Sequence, residues 1–127
     1  MNSTIYAVQI IDEAKIGLHA RPVSKITGKL AAFKETTVKA VKLNDNADVG
    51  KNITVKDGKL TGTDTNGKPV SGKELSNEVE GNAKSVLSLL GLGVKHLNKM
   101  AFIITSDDSE TVKKAIHDVL LEEKLIK

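Results

Sequence analysis

Cysteine is missing from this chain and aromatic residues nearly are: Tyr6, Phe33 and Phe102 make up the set, with no tryptophan. The first absence removes disulfides, thiolate metal sites and cysteine nucleophiles, although it does not fix a compartment. The second leaves no stacking platform for single-stranded nucleic acid, so no nucleic-acid partner is expected. No apolar run is long enough to span a bilayer, and the N-terminus lacks the basic-then-apolar pattern of a secretory signal, so neither membrane insertion nor export is expected. Charge of one sign is scarce too: 19 basic and 16 acidic residues leave a net charge of +3. That balance can help steering toward acidic protein surfaces, but solubilising lysines explain most of it equally well. No carboxylate pair or nucleophile–base arrangement points to a hydrolase. With 127 residues, 39% of them hydrophobic, one core is the natural expectation.

What is present is alternation of strands and helices. Ile5 to Ile11 is rich in β-formers and reads as a first strand. A helix follows from about Pro22 to Phe33, with Val23, Ile26, Leu30 and Phe33 recurring at three- and four-residue steps. Thr37 to Leu43 reads as a second strand. Residues 83–90 make a short helix closed by Gly91 and Gly93, with Asn82 or Ala83 opening it and Ser85 in its first turn. Met100 to Thr105 is an apolar run of strand length. Ser106 to Ser109 supply caps for a last amphipathic helix carrying Val112, Ala115, Ile116, Val119 and Leu120. In so short a chain this order suits a sheet with helices on one face.

Residues 44–77 stand apart. Asp57-Gly58 and Asn66-Gly67 are hairpin turn signals around short runs such as Ile53-Thr54-Val55. Large apolar residues are few, so a β-hairpin excursion or partly disordered loop is expected here, not a separate domain.

The stretch that carries chemistry is Gly17-Leu18-His19-Ala20-Arg21-Pro22. Pro22 suits a first helical turn, where a missing N–H costs little. His19 then sits just ahead of free backbone amides and the positive end of the helix dipole, a setting that favours phosphate. Gly17 supplies the loop freedom to present the ring. An imidazole can attack phosphorus and later leave. Arg21 can hold phosphoryl oxygens by charge-assisted hydrogen bonds. Taken alone, His19 reads as a surface cap and Arg21 as a solvated charge.

This hexapeptide resembles the active-site motif of the HPr family, the histidine-containing phosphocarriers of the bacterial sugar phosphotransferase system. Residues 82–94 resemble that family's regulatory serine and the short helix after it. The resemblance covers residues 4–43 and 78–127. It implies an α+β fold, an open-faced β-sandwich whose four-stranded antiparallel sheet carries three helices on one face. The chain is then one domain, 1–127, interrupted by an insertion at 44–77, since the family joins its second and third strands by a short turn. It implies phosphorylation of His19 at Nδ1, with Gly17, Ala20 and Arg21 cradling the phosphoryl group. Enzyme I is the implied donor, phosphoenolpyruvate the ultimate source, and sugar-specific enzyme IIA proteins the acceptors. Ser85 is the implied target of a serine kinase/phosphatase, and Val23, Leu87 and Leu90 the implied docking patch. Two charges on Ser85 beside Leu87 and Leu90 would spoil docking. Of the apolar residues on the short helix, Val86 and Leu89 are the better core candidates.

A cytoplasmic, monomeric phosphocarrier with no metal and no cofactor is therefore expected, in place of a stand-alone enzyme. The alternative is a regulatory module acting through phospho-Ser85 on a transcriptional repressor or metabolic enzyme, which would need neither His19 nor Arg21. A nitrogen-type phosphotransfer branch is a variant of the first reading. His96 and His117 have no ligand-spaced partners and read as surface residues. Lys15 reads as a solvated lysine. Val23 stands where the family has a small residue. Topology suggests that 44–77 emerges at the His19 end of the sheet, where it could screen or recruit partners.

Overall fold

The computed structural model describes residues 2–12, 17–50, 53–56 and 59–126. Lys15 and the Asp57-Gly58 turn lie outside the described residues. Strand β1 (Asn2–Gln9) leads to helix α1 (Ala20–Leu30) and strand β2 (Thr37–Leu43). Three short strands follow, β3 (Thr54–Lys56), β4 (Lys59–Thr63) and β5 (Pro69–Ser71). A single 3-10 turn leads into β6 (Ser76–Asn82), then α2 (Val86–Gly91), β7 (Lys99–Ser106) and α3 (Ser109–Glu122).

The main sheet has four strands in the order β1-β7-β2-β6, all pairs antiparallel. Side-chain alternation gives it two faces. Along β7, Met100, Phe102 and Ile104 point to the helices, while Ala101 and Ile103 point the other way. The three helices cover the first face. From α1 come Val23, Ile26 and Leu30, the stripe expected from the spacing, and from α3 come Val112, Ile116, Val119 and Leu120. Phe102, fully buried, sits at the centre of that core. Tyr6 packs beside it with ring centroids 6.3 Å apart, and its hydroxyl is hydrogen-bonded to His117 Nδ1 at 2.6 Å. His117 is thus a half-buried partner of Tyr6, not the free surface residue expected.

Residues 44–77 carry three strands where one hairpin or a loop is expected. Strands β3-β4-β5 form an antiparallel meander. The Asn66-Gly67 signal is realised: Gly67 has φ +85°, and the Asp64 carboxylate accepts the amides of Asn66 and Lys68. The meander escapes its shortage of apolar residues by borrowing the sheet. Ile53, Leu60, Val70 and Leu75 pack on Val41, Leu43 and Ala101, so a second core lies on the face away from the helices. Gln9 and Leu43 both pair with Lys99, so the meander leaves β2 at the end of the sheet where β1 hands over to the His19 segment. The Lys99 ammonium fixes that departure by donating to the carbonyls of Asp45 and Ala47 at 2.8 and 2.7 Å. The meander emerges at the expected end but folds over the opposite face from α1.

Candidate functional site

His19 is the N-cap of α1, in an extended conformation with φ −125° and ψ −179°. Its carbonyl accepts the Val23 amide, and its side chain makes no capping bond, so the half-buried ring is left over. Ala20 and Arg21 present first-turn amides that a helix cannot satisfy internally, and Pro22 has none to waste. The positive helix end therefore faces the imidazole.

The segment before His19 is braced by the loop after α2. Gly17 has φ +94°, and a Cβ there would lie 2.4 Å from Lys95 Cα and 2.6 Å from the Val94 oxygen. Only glycine fits this approach. The Leu18 amide donates to the Val94 carbonyl, the Gly17 amide to Asp12 Oδ2, and the Asp12 amide to His96 Nδ1 at 3.0 Å. His96 is therefore half-buried and structural, a correction to its reading as a surface residue; its acceptor role places the ring proton on Nε2.

Arg21 is three-quarters exposed and reaches Glu123, just beyond α3, with Nε 3.5 Å from Oε1. The other oxygen of Glu123 accepts from Lys25 Nζ at 2.8 Å, and Lys25 also reaches Glu122 at 3.3 Å. The Lys25 hydrogen bond holds the Glu123 carboxyl below its usual range, burial opposes this, and the charges of Lys25, Arg21 and His19 add to the lowering. The same bonds raise Lys25. Sequence reading missed Glu123, Lys25, Asp12 and His96. Asp12 and Lys25 are ordinary charged residues close to the motif, and His96 and Glu123 lie far along the chain from it.

The other expected residues separate. Lys84 Nζ reaches the Phe33 carbonyl beyond the end of α1, while Val94 meets Leu18 before its start, so α2 runs antiparallel to α1. Ser85 thus sits about one length of α1 from His19, roughly 16 Å for its eleven residues. It is the N-cap of α2, not a first-turn residue: its Oγ accepts the Ser88 amide at 3.3 Å. Leu87 is 82% exposed, Leu90 is half-buried against the core and Leu89 is buried. Val86 is half-buried against the core as well. Val23 is fully buried, which removes it from any docking patch: at the fourth position of α1 the stripe turns it inward. Among the described residues no cluster of His, Cys, Asp or Glu could hold a metal ion, and no helix is long and apolar enough to cross a membrane.

No protein-family model and no curated protein sequence matches the chain. Solved structures do. The histidine-containing phosphocarrier protein of Mycoplasma superposes with a TM-score of 0.66 at 18% identity, over 98% of this chain and 99% of that one. This chain has the HPr fold. HPr-C-His from Thermoanaerobacter tengcongensis gives a TM-score of 0.56 at 23% identity, over 98% of this chain and 94% of its own. At these identities the likeness shows the HPr fold alone, and the chemistry rests on the site.

Proposed function

We propose that this protein is a cytoplasmic phosphoryl carrier of the sugar phosphotransferase type, with His19 as the covalent acceptor. The observation that carries the reading is the His19 ring at the head of α1, beside two unsatisfied amides and the Arg21 guanidinium. In the forward step a ring nitrogen, Nδ1 by resemblance, attacks the phosphorus of phospho-enzyme I. The new N–P bond forms as the donor's N–P bond breaks. A nucleophile on an enzyme IIA protein then takes the group and the imidazole leaves. The Ala20 and Arg21 amides and the Arg21 side chain face the phosphoryl oxygens in both steps. Arg21 exchanges Glu123 for the phosphoryl group, so the ion pair parks the guanidinium between cycles. Leu87 and Leu90 dock the partners, with Ser85 as a regulatory phosphorylation site for a serine kinase/phosphatase. The chain works as one HPr-like domain in which 44–77 is an insertion.

The test is intact mass after incubation with phosphoenolpyruvate and enzyme I. One acid-labile phosphoryl group on the wild type and none on His19→Ala is the expected result. Absence of phosphorylation with several enzyme I proteins overturns the carrier role and favours the regulator acting through Ser85.

A further inference from the structure

The meander does not cover the whole second face of the sheet. It grips through Leu60, Val70 and Leu75 and then diverges. Val55 is cross-strand to Leu60 and so shares its inward face, yet it is 45% exposed. Opposite it the sheet offers Ile103, with Thr37 and Thr105 beside it. The gap between them is a cleft of about 530 Å³, a volume suited to a small ligand. It is lined by none of the residues assigned above to phosphoryl transfer.

Its charges are unevenly used. Lys39 and Glu80 pair across 3.7 Å. Lys59 and Glu78 also line the cleft, and neither has an ion-pair partner among the described residues. Both flank Gly72: a Cβ there would lie 3.0 Å from Glu78 Oε1 and 3.9 Å from Lys59 Cδ. An ammonium and a carboxylate, neither ion-paired among the described residues, thus both border Gly72 at the edge of the cleft.

The geometry points to a binding site for a free α-amino acid with a branched apolar side chain. Its carboxylate meets Lys59, its ammonium meets Glu78, and its side chain lies between Val55 and Ile103. A group of one charge would engage only one of these two residues, which is why a zwitterion fits better than a simple acid or amine. The site does not depend on the phosphocarrier reading, because it lies on the opposite face of the sheet from α1.

The experiment follows the methyl resonances of Val55, Leu60 and Ile103 in the full chain during titration with L-leucine. Saturable shifts confined to these residues are expected, together with weaker binding of 4-methylpentanoate and 3-methylbutylamine. Lys59→Met and Glu78→Gln, both surface changes, should each weaken leucine about tenfold while resonances of the His19 face stay in place. No saturable shift at millimolar leucine overturns the proposal. So does 4-methylpentanoate binding as well as leucine, or leucine shifts that survive both substitutions.

Discussion

Gly17 and Val23 flank His19 in sequence, and each is set by a contact on one side of it. At Gly17 one methyl group has nowhere to go, since Lys95 Cα and the Val94 oxygen already occupy the place of a Cβ. Gly17→Ala must part the two loops and shift the imidazole. On the proposed carrier role, a displacement of that order should slow phosphorylation by enzyme I roughly ten- to a hundredfold; an unchanged initial rate would mean the ring is presented without this approach. Val23→Ala empties buried volume and should cost about 2 kcal/mol in denaturant unfolding. Leu87→Ala, on an exposed side chain, should stay within about 0.5 kcal/mol of wild type and instead weaken partner docking. A docking defect in both, with no loss of stability at Val23, would restore Val23 to the surface. At this scale His19 and Arg21 are legible from their neighbours. Glu123 is not, because nothing local distinguishes the carboxylate that meets Arg21 from Glu122 beside it.

At the scale of the element, α2 shows how one side chain resets a helix. The apolar residues suit a helix from 83, but Asn82 takes the Ser85 amide on its carbonyl and the Lys84 amide on its side chain, making a turn. Ser85 then caps the helix, and the competition of short polar side chains for backbone amides moves the boundary. Ser85→Ala should therefore cost about 1 kcal/mol in thermal or denaturant unfolding. Ser85→Asp keeps a capping oxygen and places negative charge at the helix start, so its stability should match wild type while its phosphorylation by enzyme I slows. Equal stability of Ser85→Ala and wild type would show that the cap contributes nothing.

For the whole molecule, the core between the sheet and the helices sets the response to alkali through Tyr6. Burial pushes the Tyr6 hydroxyl up to about 12 from 10.0. An acid whose value rises on folding stabilises the folded state while it is protonated. That contribution is complete below about pH 10 and is lost as pH rises toward 12. Tyr6 is the chain's one tyrosine, so tyrosinate absorbance reads it alone. The wild type should lose stability over that interval, and Tyr6→Phe should lose less of it. A tyrosinate transition near 10 in the folded protein would contradict the burial.

Local pattern alone determined the bounds of β2, the inward stripe of α1, the Asn66-Gly67 turn and the placing of His19 at a helix head. These follow from periodicity, capping and turn chemistry, which act over a few residues. Tertiary structure alone decided that Arg21 leans on Glu123 and that His96 accepts the Asp12 amide ahead of His19. It also decided that 44–77 folds as a meander over the second face of the sheet. Each of these depends on surfaces brought together from distant parts of the chain: the meander is too poor in apolar residues to bury itself, and Val41, Leu43 and Ala101 of the sheet, with Ile5, Ala7 and Ile103 beside them, supply the rest of its core.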